Sequence, residues 1–168
     1  MAEHASLCAY AGLMHTSIQR LKVDATDEAL QLETRVVAFP WTRAVWEHSL
    51  QKDWAIGVRQ DGNLAAVAVF SLVADEVTLL NIAVAREYQG QGLARQLLSH
   101  GLEYFAARGG RECFLEVRES NRTAKRLYRK FGFEKVGQRR NYYPSEEGSE
   151  DACVMACDIQ AALAQNLV

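Results

Sequence analysis

The sequence predicts an α/β (α+β) fold in which a single mixed, largely antiparallel twisted sheet of about seven strands is flanked by about four helices. Seven short segments have the length and the alternating or continuous apolar pattern of strands, and four others have the apolar spacing of helices. After a first strand and two helices come three strands, then helix, strand, helix and a final hairpin. This order is typical of helices packed on a mixed sheet, and the 168-residue length fits one domain.

The first half of the chain is predicted to form two short helices and the antiparallel part of the sheet. Its predicted elements are a strand at 17–23, helices at 25–36 and 42–50, and strands at 54–60, 64–73 and 76–84. Phe39-Pro40-Trp41 separates the helices because proline cannot continue a helix. Asp61-Gly62 is a strong hairpin turn and Ala74-Asp75 a second short one, so the three strands are expected to be antiparallel neighbours.

The second half is predicted to alternate strands and helices. A long helix at 92–108 ends at Gly109-Gly110, and a strand follows at 112–118. Ser120 or Asn121 caps the next helix, which ends at Gly132. Two strands, 133–142 and 152–159, then close the chain around a polar loop at 144–151.

The composition argues against several classes of protein. Nineteen basic and twenty-one acidic side chains nearly balance, so the chain as a whole is not expected to bind nucleic acid or a membrane. Its apolar runs are too short to cross a bilayer and its N-terminus does not resemble a signal peptide, so we expect a cytoplasmic protein. The four cysteines do not suggest a disulfide framework, and neither they nor the four histidines have the spacing of a metal site, so no metal is predicted.

Two closely spaced glycines, Gly90 and Gly92, connect the strand at 76–84 to the helix that follows. Such a junction presents unpaired backbone N–H groups at the positive end of a helix dipole, and glycine lets a phosphate oxygen approach them. The junction is therefore a candidate pyrophosphate-binding site, although the same glycines would equally serve a tight turn. Arg95 stands where a dinucleotide-binding fingerprint needs a third small residue, and the Gly-Lys-Ser/Thr of a P-loop is absent.

At this junction the sequence resembles the GNAT acetyltransferases, because Gln89, Gly92 and Ala94 match the pattern Gln/Arg-x-x-Gly-x-Gly/Ala of their acetyl-CoA loop. Further segments resemble the bacterial ribosomal-protein-alanine N-acetyltransferases of that superfamily: 81–84, 115–118, 120–121, 127–128, 131–133 and 139–144. The resemblance implies the GNAT fold, with acetyl-CoA bound where the central strands splay apart. It also implies acetylation of a protein N-terminus, namely the N-terminal alanine of small-subunit ribosomal protein eighteen.

The same resemblance implies which residues bind the cofactor. Ile82, Ala83 and Val84 would offer strand backbone to the pantetheine arm, and Asn121 would bond the cofactor near the thioester. The pyrophosphate would be held by the loop and the first helical turn, which consist of Gln89, Gly90, Gln91, Gly92, Leu93, Ala94 and Arg95. For Asn121 a plain helix cap is an alternative, and the two roles are compatible.

Acetyl transfer to an amine needs a base and an acid, and the resemblance favours Glu116 and Tyr128. Glu116 alternates with apolar neighbours on its strand, so it is expected to face away from them and to be partly desolvated, which makes a carboxylate a better base. Tyr128 would protonate the departing thiolate. The alternatives are a solvated strand glutamate and a core aromatic residue. Cys113 has no evident histidine partner and is interpreted as a core residue.

The resemblance also suggests where the acceptor peptide binds. Phe39 and Trp41, between the first two helices, and Asn141, Tyr142 and Tyr143, in the final hairpin, would contact it. Phe39 and Trp41 could instead be ordinary core anchors. The stretch 118–140 is rich in arginine and lysine, and part of this charge is expected to meet the CoA phosphates or a ribosomal partner.

The family pattern begins near Thr16, so we expect residues 1–15 to be a dispensable extension, 16–160 to form the acetyltransferase domain and 161–168 to be a C-terminal tail. Two other functions stay open from the sequence. One is acetylation of a small amine, a lysine side chain or an aminoacyl group. The other is a non-catalytic acyl-CoA-binding regulator, which would have no need for a paired base and acid.

Overall fold

The computed structural model describes residues 17–166, leaving out the side chain of Asn166, and contains one seven-stranded sheet. The strands are β1 Ile18–Arg20, β2 Trp54–Gln60, β3 Asn63–Val73, β4 Glu76–Val84, β5 Glu112–Arg118, β6 Glu134–Ser145 and β7 Gly148–Asp158. The helices are α1 Thr26–Val36, α2 Arg43–Lys52, α3 Leu93–Ala106, α4 Arg122–Lys130 and α5 Ile159–Asn166. The strand order is β1-β2-β3-β4-β5-β7-β6, and only the β4–β5 pair is parallel. The predicted mixed, largely antiparallel sheet is confirmed.

Two predictions about the C-terminal part were wrong. Most of the predicted polar loop at 144–151 is strand, because Tyr143 pairs with Glu150 and Ser145 with Gly148 across a two-residue turn. This end of the hairpin is largely exposed, so it lacks the apolar alternation by which a half-buried strand is detected. The fifth helix, α5, was also not predicted, and it buries Ile159 and Ala162 against the core.

The remaining domain boundaries stay predictions. The expected extension at 1–15 lies outside the described residues. The expected C-terminal tail begins inside α5, and its last two residues are likewise outside the described part.

Two apolar clusters cover the two faces of the sheet. On one face α3, α4 and α5 bury the larger cluster, and Gly101 lets α3 lie directly on Phe70, whose ring would be 2.3 Å from a Cβ at that position. On the other face α1 and α2 bury a smaller cluster around Trp46. Because both faces are covered, the ligand-accessible parts of the sheet are its edges and the places where strands separate.

Candidate active site

The central strands β4 and β5 separate halfway along their length. Their pairing runs from Glu76 and Glu112 to Leu79 and Leu115 and then stops. On its other side β4 is bulged, because Val69 of β3 pairs with Asn81 and Phe70 with Leu79, leaving Leu80 as an extra residue. Beyond the bulge, the facing edges of β4 and β5 no longer pair with each other, so their backbone groups are open to a ligand.

A cleft of about 630 Å³ lies at this separation, and we call it the donor cleft. Its lining consists of the end of β4, the glycine turn, the first turn of α3 and one face of α4: Ile82, Val84, Tyr88, Gln89, Gly90, Gly92, Leu93, Ala94, Arg95, Asn121, Thr123, Ala124, Arg126, Leu127, Tyr128 and Lys130. Gly90 and Gly92 have left-handed backbone angles, with φ of 78° and 80°. Gly92 caps α3, whose first N–H groups have no partner within the helix and face an anion-binding position.

Positive side chains surround the same cleft. Arg95 on α3 and Arg126 and Lys130 on α4 all line it. Guanidinium and ammonium groups add charge-assisted hydrogen bonds to the dipole of the helix terminus. The donor cleft therefore suits a long ligand with an apolar or amide arm along β4 and several phosphates near α3.

A second cleft of about 320 Å³, which we call the acceptor cleft, lies on the other side of the separated strands. It is lined by Glu33, Val37, Phe39, Trp41, Leu79, Leu80, Asn81, Ile82, Leu115, Glu116, Val117, Arg118, Asn121, Tyr128, Tyr143 and Pro144. Ile82, Asn121 and Tyr128 line both clefts. The two clefts thus meet at these three residues, which is the geometry needed to pass a group from one ligand to another.

The sequence model of the acetyltransferase (GNAT) family matches residues 17–133, a range that contains the entire donor cleft and both candidate catalytic residues. The chain belongs to this family. A 40% identical relative is the [ribosomal protein bS18]-alanine N-acetyltransferase of Escherichia coli strain K12, matched over 144 residues, 85% of this chain and 97% of the relative. The enzyme of the same description from Salmonella typhimurium strain LT2 is 41% identical over 132 residues, 78% of this chain and 89% of the relative.

The crystal structure of the Escherichia coli ribosomal-protein-S18-alanine N-acetyltransferase superposes on this fold with a TM-score of 0.81. It is 40% identical in sequence, and the match covers 86% of this chain and 94% of that one. The predicted GNAT fold is confirmed, and the chain is an N-acetyltransferase.

In this GNAT acetyltransferase Glu116 faces the acceptor cleft. Its neighbours Leu115 and Val117 are buried in the core, whereas the Glu116 side chain is 25% exposed, as strand alternation predicted. Its Oε1 atom is 2.6 Å from Arg139 Nε. Tyr142 also donates a hydrogen bond to Glu116, and this bond is the main reason why the pKa of Tyr142 is raised. The carboxylate is therefore held by two groups of the β6–β7 hairpin.

Tyr128 is both a core residue and a wall of the site. It is 4% exposed, and its ring packs against Phe133 with the centroids 5.8 Å apart. It nevertheless lines both clefts. Burial raises the pKa of its phenol well above the usual value, so the hydroxyl keeps its proton at neutral pH.

Asn121 is a helix cap, as the sequence suggested. Its Oδ1 accepts a hydrogen bond of 3.0 Å from the backbone N–H of Ala124. Its amide nitrogen carries two further donors, and the residue lines both clefts. The capping bond fixes the side chain where a ligand passing between the clefts would meet it.

The other predicted cofactor residues divide by side-chain direction. Ile82 and Val84 line the donor cleft, whereas the Ala83 side chain is buried in the cluster under α1 and α2. Ala83 can therefore serve a ligand through its backbone alone. The Gln89 side chain donates to the carbonyl of Val84 at 3.0 Å, which ties the glycine turn to the end of β4. Gln91 makes a similar bond to Glu87 at 3.4 Å.

The predicted acceptor residues lie on two walls. Phe39 and Trp41 line the acceptor cleft, and Trp41 also packs against Trp46, with ring centroids 5.0 Å apart. Tyr143 lines the opposite wall. Asn141 has a left-handed backbone, with φ of 52°, and its side chain accepts a bond from Ser149 within the hairpin, so it shapes the loop on which Tyr142 and Tyr143 lie.

Sequence reasoning missed two residues of the acceptor cleft. Arg118 joins the two walls: its guanidinium lies 5.6 Å from the Phe39 ring centre and 4.6 Å from that of Tyr143, and it bonds Pro144 and Glu150 of the hairpin at 2.8 Å. A usable signal existed, because Arg118 is two residues from Glu116 on one strand and so shares its face. The other missed residue is Glu33, a buried carboxylate of α1.

Other chemistry finds little support in the part of the chain that the structure describes. Between residues 17 and 166 no group of three or more His, Cys, Asp or Glu side chains is placed to hold a metal ion, and no helix there is long and apolar enough to cross a membrane. Cys113 is fully buried, and burial raises the pKa of its thiol, so it is a poor nucleophile at neutral pH.

Proposed function

We propose that this enzyme transfers the acetyl group of acetyl-CoA to the α-amine of the N-terminal alanine of small-subunit ribosomal protein bS18. The observation that carries the proposal is the meeting of the two clefts at Tyr128 and Asn121, with Glu116 on the acceptor side. The activity in the names of the 40–41% identical relatives supports the choice of acceptor.

The donor cleft fits acetyl-CoA. The N–H groups at the start of α3, with Gly90 and Gly92, would hold the pyrophosphate, and Arg95, Arg126 or Lys130 would meet further phosphate charge. The free edge of β4 from Ile82 to Val84 would pair with the amides of the pantetheine arm. When bound, acetyl-CoA supplies an activated thioester whose acyl carbon an amine can attack.

Glu116 would act as the base. A protein N-terminus has a pKa of roughly 8 and is mostly protonated at neutral pH, so the α-ammonium must lose a proton before its nitrogen can attack. Arg139 would have to give way to the ammonium group, but its side chain is 59% exposed, and exposed ion pairs contribute only about 0–1 kcal/mol. One cation would thus replace another beside the carboxylate.

Tyr128 would act as the acid. As the new C–N bond forms and the C–S bond breaks, the phenol would donate its proton to the departing sulfur. The proton taken by Glu116 would return to solvent. No covalent enzyme intermediate is required, which agrees with the burial of Cys113.

The acceptor cleft would hold the first residues of the substrate peptide. Phe39, Trp41 and Tyr143 form aromatic walls around a volume suited to a small side chain such as alanine. Residues of the hairpin, Asn141 and Tyr142 among them, would contact the peptide as it leaves the cleft. This assignment needs a protein partner but neither nucleic acid nor a membrane.

The direct test is mass spectrometry of short peptides incubated with the enzyme and acetyl-CoA. A peptide with the N-terminal sequence of bS18 should gain one acetyl group, and the same peptide with a blocked N-terminus should gain none. Glu116→Gln keeps the shape of the side chain but should lower kcat/KM about 10²- to 10⁴-fold, as loss of a general base does. Glu112→Gln, on the exposed start of the same strand, is the matched control and should leave the rate unchanged.

The remaining outcomes assign the other functions. Acetylation of small amines or lysine side chains in preference to the peptide would make the enzyme a different kind of GNAT acetyltransferase. Tight binding of acetyl-CoA without acetylation of any acceptor would indicate a regulator. Unchanged turnover in Glu116→Gln would remove Glu116 from the mechanism.

A further inference from the structure

Glu33 is a buried acidic residue at the junction of three elements. It is 5% exposed, and its carboxylate accepts three hydrogen bonds. Oε2 accepts from the backbone N–H of Trp41 and from the indole N–H of Trp46, both at 2.9 Å, and Oε1 accepts from the side-chain amide of Asn81 at 2.8 Å. The carboxylate thus connects α1 to the loop after it, to α2 and to β4.

The three donors to Glu33 are all neutral groups. Within residues 17–166 no lysine, arginine or histidine forms an ion pair with this carboxylate. Burying a charge without a counter-charge opposes folding, and apolar replacements of such groups are often neutral or stabilising. Packing alone therefore does not explain why an acid occupies this position.

The location of its partners indicates a role in the site. Trp41 is a wall of the acceptor cleft, and Glu33 lies in the lining of the same cleft. Asn81 follows the bulged residue Leu80 and precedes Ile82, which lines both clefts. One oxygen of Glu33 therefore holds the acceptor loop and the other holds the strand along which the donor would lie.

We propose that Glu33 is a positioning residue that fixes the acceptor loop relative to β4 and so aligns the bound amine with the thioester. The inference rests on the proposed function, because it concerns the alignment of its two substrates. Alignment errors of about 1 Å at a reacting centre can lower rates by about 100-fold, so a residue that never touches the substrate can control turnover.

The role of the hydrogen bonds can be separated from that of the charge. In Glu33→Gln the side-chain oxygen can still accept from Trp41 and Trp46, and Asn81 can rotate its amide to accept from the new NH₂ group. This variant keeps the connections and loses the charge. Glu33→Ala loses both, and Asn81→Ala cuts only the connection to β4.

The test is steady-state kinetics with the bS18 N-terminal peptide, together with calorimetric titration of CoA. Glu33→Ala should lower kcat/KM for the peptide about 100-fold, and Asn81→Ala about 10-fold, with the Kd for CoA within about threefold of wild type. Glu33→Gln should stay within about threefold of wild-type kcat/KM. Glu28→Ala, which breaks an ion pair with Arg59 on the same helix but away from the cleft, is the control and should change none of these constants.

Three results would overturn the role of Glu33. They are unchanged peptide kinetics in a folded Glu33→Ala enzyme, a loss in Glu33→Gln as large as in Glu33→Ala, and wild-type kinetics in Asn81→Ala. The last variant decides the matter if Glu33→Ala does not fold. A wild-type enzyme that ignores the peptide would instead contradict the proposed function, so the two failures are distinguishable.

Discussion

At the residue scale, Tyr128 combines structural and chemical roles. Its ring fills the core beside Phe133, while its hydroxyl belongs to the region where the two clefts meet. Burial raises its pKa, so the phenol is a dependable proton source at neutral pH but a reluctant one without a strong base. A thiolate, formed from a thiol with a pKa of about 8.5, is such a base only at the moment of departure.

Tyr128→Phe removes the proton and leaves the packing. We expect kcat to fall about 10- to 100-fold, at the low end of acid catalysis, because a thiolate can leave without full protonation. The melting temperature and the Kd for CoA should be nearly unchanged. Tyr104→Phe, in the aromatic stack with Trp54 on α3, is the matched control. Equal rates for the two variants would show that Tyr128 has only a structural role.

The residues of the site differ in how far the sequence could reveal them. Glu116 was predictable, because strand alternation places it opposite Leu115 and Val117 and no distant contact is needed to see it. Glu33 was not, because its partners Trp46 and Asn81 are 13 and 48 residues away. Arg139 was recognised only as part of a basic stretch, since its pairing with Glu116 depends on how the hairpin folds back over β5.

At the element scale, the start of α3 depends on backbone shape more than on side chains. Gly92 has φ of 80°, and a Cβ placed there would have no atom within 4 Å in the described protein. The cost of a substitution to the protein itself is therefore backbone strain alone. The donor, however, would approach the same atoms.

Gly92→Ala should weaken CoA binding beyond its effect on stability. Gly62, in the β2–β3 turn, has the same φ of 80° and the same open surroundings, so Gly62→Ala is a closely matched control. Both variants should lose about 1 kcal/mol of unfolding free energy, measured with urea, because a left-handed alanine is strained. Only Gly92→Ala should raise the Kd for CoA, by about 10-fold in calorimetry, as the new methyl group meets the phosphates. A Kd that is unchanged in Gly92→Ala would mean that the pyrophosphate binds elsewhere.

Elements were predictable where burial imposes a period on the sequence. Strands β2, β4 and β5 have the predicted limits, and each has a buried face or both faces covered. The outer end of the β6–β7 hairpin was predicted as a loop because Tyr143, Glu150 and their neighbours are held by cross-strand pairing rather than by burial. The hairpin matters for function, since it brings Arg139, Tyr142 and Tyr143 over the acceptor cleft.

At the scale of the whole molecule, the site is a consequence of two strands that pair for four residues and then separate. This separation joins a donor cleft made mainly by one layer of helices to an acceptor cleft made by the other layer and the hairpin. The family pattern implied such an opening, but the alternation of apolar residues within each strand could not, because it carries no information about where a pair of strands ends.

The two-layer core also determines how stability responds to pH. Burial raises the pKa of Cys113, Cys157 and Tyr128 in the folded protein, that of Cys157 to about 12. In the unfolded chain a thiol ionises near about 8.5 and a tyrosine near about 10. Above about pH 8.5 the unfolded state has therefore lost protons that the folded state retains. Its contribution to stability is complete below that pH and is lost as the pH rises toward the folded pKa.

We therefore expect the free energy of unfolding, measured with urea under reducing conditions, to fall steadily from about pH 8.5 to about pH 10. Cys113→Ala removes one of the titrating groups, so its slope should be shallower than that of wild type by about 1 kcal/mol per pH unit. Val117→Ala removes buried atoms from the same strand without removing a proton, so it should lower stability and keep the wild-type slope. If Cys113→Ala and Val117→Ala gave the same slope, the thiol of Cys113 would have to ionise equally in both states, which its complete burial between β4 and β7 opposes.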